Sequence, residues 1–191
     1  MTRVVLATKN AGKVAELQRI LTGFSLEGAS YEPGPETGTS FAENALAKAR
    51  EGVAQTGLPS VADDSGLTVD ALNGMPGILS ARWAGRHGAD LANLQLVLRQ
   101  LEDIADRGAA FVCAAAYALP DGRSEVVLGE LRGTLLREPR GTGGFGYDPI
   151  FVPVGLSVTS AELTPEMKDA ISHRGQAFRA LAPLLVAALS C

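Results

Sequence analysis

Apolar and polar positions change their spacing along this chain in a way that spells strand, helix and loop in turn. Arg3-Val4-Val5-Leu6-Ala7 is a short apolar run that predicts a buried first strand. Beyond it Val14, Leu17 and Leu21 recur at helical spacing, with the polar segment Thr8-Lys9-Asn10-Ala11-Gly12-Lys13 between. Glycine and proline crowd residues 28–38, which reads as a loop. Ser40-Phe41-Ala42-Glu43 then carries a capping-box pattern, and Phe41, Ala45, Ala49 and Val53 mark one helical face. Asn44 and Lys48, four apart, share a different face and point together. In Val61-Ala62-Asp63-Asp64-Ser65-Gly66-Leu67 an apolar run meets two carboxylates and a glycine, and Leu67 to Ala71 alternates. That pattern predicts strand, tight turn, strand, with Asp63 and Asp64 at the bend.

Further on, Gly74-Met75-Pro76-Gly77 is a loop, and Leu91, Leu94, Leu98 and Leu101 define an amphipathic helix. Phe111 to Leu119 is a long apolar run, Pro120-Asp121-Gly122-Arg123 a hairpin turn, and Glu125 to Leu131 the returning strand. An antiparallel pair of this kind makes the sheet mixed. Four glycines fall within six residues in Gly141-Thr142-Gly143-Gly144-Phe145-Gly146, just before Tyr147-Asp148-Pro149. Thr164 and Pro165 open a short helix as cap and first residue. Ser172-His173-Arg174 opens the last helix, whose buried face holds Phe178, Leu181, Leu185 and Leu189.

Composition narrows the class. With 46% apolar and 20% charged residues among 191, the chain has ample core for one domain or two small lobes. A formal charge of −4 argues against a protein that coats nucleic acid polymers. Cys113 and Cys191 suggest neither a disulfide framework nor a zinc site, which points to a reducing cytoplasm. The chain enters a strand-like run at once, with no signal peptide ahead of it, and the apolar stretch from Ala177 is too short to span a bilayer.

The chemistry lies in the turns. Adjacent carboxylates need neutralisation, and a hard divalent cation such as Mg²⁺ takes one or two carboxylates, waters and substrate phosphates. The competing reading of Asp63 and Asp64 is a solvated turn. Ahead of the first helix, two lysines and free backbone N–H groups suit a phosphate, although the Walker A spacing is absent. Glu43 reads as the capping residue, and Glu36, in the loop before the second helix, is better placed than Glu43 to reach a metal. The glycines at 141–146 let a backbone approach a ligand, and Phe145 and Tyr147 are placed to stack on a base or to pack. His173 and Arg174 are cations in a first helical turn, where cations are disfavoured unless an anionic or acceptor-rich partner is present.

Together these segments resemble the inosine triphosphate pyrophosphatase family. The resemblance runs nearly end to end, through Ala7 to Lys13, Phe41-Ala42-Glu43-Asn44-Ala45 with Lys48, Ala62 to Leu67, Ser80-Ala81-Arg82, Gly143 to Pro149 and Ile171-Ser172-His173-Arg174. It implies an α/β fold in which a twisted mixed sheet is flanked by helices, with two lobes around a deep nucleotide-binding cleft. Residues 1–191 would form one nucleoside-triphosphate pyrophosphatase domain, converting ITP, dITP and XTP to the monophosphate and pyrophosphate with Mg²⁺. The resemblance places Thr8, Lys9, Asn10, Ala11, Gly12 and Lys13, with Lys48 and Lys168, on the triphosphate. Asp64 is then the metal-linked catalytic carboxylate, supported by Asp63, and Asn44 lies beside Lys48. Ser65, Phe145, Gly146, Tyr147, Asp148, His173 and Arg174 would contact the nucleoside. Family members often carry two acidic residues before Thr-Gly, where this chain has Pro35-Glu36-Thr37-Gly38, leaving Glu36 as the second metal ligand. A homodimer in the cytoplasm is implied in the same way. Two other readings stay open: an enzyme of similar fold acting on modified or pyrimidine nucleotides, and a nucleotide sensor without catalysis.

Overall fold

The computed structural model describes residues 2–8 and 11–190. The element order is β1 (Thr2–Leu6), α1 (Ala11–Ile20), β2 (Phe24–Gly28), α2 (Phe41–Thr56), β3 (Ser60–Val69), α3 (Asp90–Gln100), β4 (Gly108–Ala118), β5 (Ser124–Leu135), β6 (Phe151–Pro153), α4 (Pro165–Ile171) and α5 (His173–Ser190). Short 3₁₀ turns sit between several of them. The six strands form one sheet in the order β2-β1-β3-β4-β5-β6. β1 is parallel to both β2 and β3, with Val4 opposite Leu26 and Leu6 opposite Val61. β6 runs antiparallel to β5, so the expected mixed α/β sheet is present. β2 and β6 were not foreseen: each is five residues or fewer and carries too few alternations to stand out from its loop.

The chain divides into two compact units. The first comprises residues 1–64, 113–129 and 173–191, the second residues 65–112 and 130–172. The boundary falls inside β3, β4 and β5, so those three strands contribute residues to both.

In the first unit both faces of the sheet are covered, and strand alternation sorts residues between them. Val4, Leu6, Val61, Cys113, Ala115 and Tyr117 meet Leu17 and Leu21 from α1 and its end, and Phe178, Leu181 and Leu185 of α5. Ala62, Ala114, Ala116 and Ala118 point the other way, into a cluster with Ala45 and Ala49 of α2. Alanine on both sides lets α2 lie close against the strands. Its start is fixed by Ser40, whose hydroxyl accepts from the Glu43 N–H. The Glu43 carboxylate turns to the N–H and hydroxyl of Thr39 instead of closing the reciprocal box on Ser40.

The second unit packs α3 over Leu67, Val69, Phe111, Tyr147, Ile150 and Phe151. Leu94 and Leu101 of the predicted face are buried, but Leu91 is 66% exposed and Val97 fills the core in its place. Leu91 is the second residue of α3, in its first turn. Buried Arg107 ties this unit together by donating to the carbonyls of Leu101, Leu135 and Leu136.

Candidate active site

The expectation of a turn at Asp63 and Asp64 is not met. Both lie inside β3, a continuous strand, and are only 4% and 7% exposed. The alternation that sends Val61 to one cluster and Ala62 to the other sends the two aspartates to opposite faces as well. Asp63 therefore meets groups from α1 and α5, and Asp64 meets groups from α2. The carboxylates thus make different contacts, while the Lys48 charge acts on both.

On the first face, the Lys13 ammonium lies 3.2 Å from both Asp63 oxygens, and Arg174 Nε donates to Asp63 Oδ2 at 3.1 Å. Burial alone would push the Asp63 carboxyl up, but Lys13, Arg174 and Lys48 outweigh it and hold the group far below the ordinary carboxylate range. Arg174 reaches this carboxylate because α5 sits directly on β5 at Gly129. A Cβ at Gly129 would collide with the His173 carbonyl and lie 2.7 Å from the Ala177 nitrogen. Gly129 was not singled out from the sequence, although a glycine inside a strand pattern signals a close backbone approach. His173 is buried beside Arg174 as the first residue of α5.

On the second face, Asn44 Nδ2 donates to Asp64 Oδ2 at 2.9 Å, while its Oδ1 accepts the Gly38 N–H at 2.8 Å. One amide thus joins β3 to the loop carrying Glu36. The Lys48 ammonium is 2.7 Å from Glu36 Oε1 and 3.7 Å from Asp64 Oδ1. The expectation that Asn44 and Lys48 act together is met. Burial pushes the Asp64 carboxyl up and the Glu36 charge adds to this, with Lys48 and the Asn44 hydrogen bond opposing. Burial works against the Lys48 charge, yet Asp64, Asp63 and Glu36 carry its pKa above the ordinary value. Two carboxylates around one ammonium, one of them destabilised by the other's charge, form a donor set that fits a hard divalent cation.

Of the remaining first-unit residues, Thr8 is half-buried just after β1, and its carbonyl accepts from the Ala29 N–H. Ala11 and Gly12 open α1. Lys9 and Asn10 lie outside the described residues.

The second unit holds the rest. Ser65 is half-buried in β3. In the glycine-rich loop Phe145 is 60% exposed, with the Lys168 ammonium 4.8 Å from its ring centre. Lys168 also pairs with the buried Asp148, whose carboxylate accepts the Phe145 N–H at 2.8 Å. The Gly146 N–H donates to Asp90 at the start of α3, a contact not foreseen from the sequence. Gly144 and Gly146 have φ of 69° and 59°, and a Cβ on Gly144 would strike Asp148. Tyr147 corrects the reading of two stacking rings: it is 5% exposed, packed in the core, and its hydroxyl donates to the Ser80 carbonyl at 2.8 Å. Ser80 in turn accepts the Leu67 N–H on Oγ, beside Gly66, where any Cβ would strike that hydroxyl.

A mixed α/β sheet with a buried, cation-ringed pair of strand carboxylates defines an α/β protein built to handle anions. The comparisons give the class a family. The profile of the Ham1 family matches residues 4–184, and the chain belongs to that family. A Streptomyces coelicolor protein named dITP/XTP pyrophosphatase is 62% identical over 97% of this chain and 98% of its own. The crystal structure of a nucleoside-triphosphatase, dITP/XTP pyrophosphatase, from Mycobacterium abscessus is 58% identical, covers 95% of this chain and 99% of its own, and superposes with a TM-score of 0.79. A HAM1 protein from Coxiella burnetii is 44% identical, covers 97% and 99%, and has a TM-score of 0.89. Among the described residues, no helix is long and apolar enough to cross a membrane.

Proposed function

We propose that this chain hydrolyses the triphosphates of deaminated purines, ITP, dITP and XTP, to the monophosphate and pyrophosphate, as a hydrolase acting on acid anhydrides. The observation that carries the reading is the division of labour at β3, where one carboxylate is locked among cations and its neighbour is destabilised beside Glu36 and Lys48. Relatives named dITP/XTP pyrophosphatase at 62% and 58% identity support it.

Asp64 takes the catalytic role: a carboxylate made more basic by burial and held by Asn44 is suited to orient a water and accept its proton. Glu36 and Asp64 would hold Mg²⁺, which when bound neutralises phosphate charge and orients the scissile bond. Lys13 and Lys48, with Thr8 and the segment Lys9 to Gly12, are assigned to the triphosphate, where ammonium groups favour a pyrophosphate leaving group. Phe145 offers the base an exposed ring. Asp148 and Gly146 set that ring's loop, Ser65 is assigned to the nucleoside, and His173 and Arg174 to base selection. Lys168, implied on the triphosphate by the resemblance, is engaged with Asp148 and Phe145, and we assign it to holding the loop. Tyr147 contributes through packing. The chain acts as a single functional domain, a homodimer in the cytoplasm, without nucleic acid polymer or membrane as partner.

The test is pyrophosphate release from ITP, dITP, XTP, GTP and ATP with Mg²⁺, with the products separated. Preferential turnover of the first three, giving monophosphate, is expected. Orthophosphate and diphosphate as products, or equal turnover of all five, would refute the reading.

A further inference from the structure

Alternation along β3 turns Asp63 away from Asp64 and toward α1 and α5. Its carboxylate is shared. Oδ2 accepts from Arg174 Nε at 3.1 Å and stands 3.2 Å from the Lys13 ammonium, which lies equally close to Oδ1. One buried group is thus held between a lysine of α1 and an arginine of α5 that are 161 residues apart in sequence. Neither helix can shift its cation without moving the oxygen the other depends on. The Arg174 Nε–H reaches Asp63, and a guanidinium carries its five N–H donors in one rigid plane. Any acceptor that draws on those donors repositions the whole fork.

We propose that Asp63 is a positioning residue that couples base recognition to the grip on the phosphates, by linking Arg174 to Lys13 through one shared carboxylate. This rests on the assignment above of Lys13 to the triphosphate and Arg174 to the base. A hypoxanthine or xanthine O6 accepts from the Arg174 fork and holds Asp63, and with it Lys13, in the arrangement that grips phosphate. The adenine amino group cannot accept in this way, so Lys13 is left in a poorer position. Discrimination then reaches the rate of the cut as well as the binding of the base.

Because the two halves of the substrate can be offered separately, the protein tests this without alteration. Tripolyphosphate binding is measured by calorimetry in Mg²⁺ buffer with and without saturating inosine, and again with adenosine. Inosine is expected to tighten tripolyphosphate by at least about fivefold, the lower end of measurable coupling, and adenosine by much less. Linkage requires tripolyphosphate to tighten inosine by the same factor. In Asp63→Asn, which keeps the shape and removes the charge, the two ligands should bind independently and the kcat ratio of ITP to ATP should narrow more than the KM ratio. Should that variant fail to fold, Arg174→Lys keeps the charge at the carboxylate but removes the fork, and carries the same expectation. Independent binding of inosine and tripolyphosphate in the unaltered protein overturns the proposal, as does an equal fall in kcat for ITP and ATP in a folded variant. If ITP itself is not hydrolysed, the assignment of function fails first, and the two failures are told apart by that assay.

Discussion

At the scale of single residues, the two aspartates make opposite predictions although they are adjacent. Replacing Asp63 by Asn removes the charge that half-buried Lys13 and buried Arg174 share, a loss of about 3–5 kcal/mol for a broken buried pair, read as a lower urea midpoint. Replacing Asp64 by Asn should lower kcat by about 10² or more yet leave stability at neutral pH no lower than in the unaltered protein. The folded state raises the Asp64 pKa through burial and the Glu36 charge. Its contribution to stability is therefore fully present below the unfolded pKa and lost as pH rises through the folded one. The unaltered protein should gain on Asp64→Asn when acidified through that window, a trend followed by urea unfolding at several pH values. Asp63 has the reverse sign, its stabilisation being full above the ordinary carboxylate pKa and lost only as pH falls well below it.

At the scale of elements, the sequence was legible where periodicity ran long. The helix from Phe41 is marked by repeated apolar positions and a cap, the helix from His173 by repeated apolar positions alone. Asn44 and Lys48 were placed together by helical spacing alone, and the structure joins both to Asp64. The Asp-Asp-Ser-Gly segment was misread because polar residues and a glycine imitate a turn; the cations that permit charges inside a strand come from segments 50 and 111 residues away. Tyr147 was misread for the opposite reason, since a glycine-rich setting gives no sign that its hydroxyl has a carbonyl waiting in the core. The seat at Gly129 carries its own prediction. Gly129→Ala forces α5 off β5 and should cost about 1–3 kcal/mol of stability, as overpacking does. It should also weaken hydrolysis of ITP by moving Arg174, whereas Gly23→Ala, a site with open space around its Cβ, should change neither. Thermal melting and kcat/KM for the two variants separate these outcomes.

At the scale of the whole molecule, the first unit is drawn from three stretches of chain, with residues 65–112 and 130–172 belonging to the second. Its core mixes Val4 and Leu6 with Phe178, Leu181 and Leu185. A chain ending at residue 172 lacks that contribution and should leave β1 and β3 unprotected in hydrogen exchange, since an exposed apolar face does not hold a sheet. Contacts spanning most of the sequence are slow to form because loop closure precedes any return from them. On the ribosome this has a plain meaning. β1 is made well before α5, so β1 waits through synthesis of all the elements between them for that packing partner. A nascent chain therefore emerges with its earliest strands uncovered, in the state most prone to association with other chains. The same helix delivers Arg174 to Asp63, so the charge cluster closes only after α5 has been made.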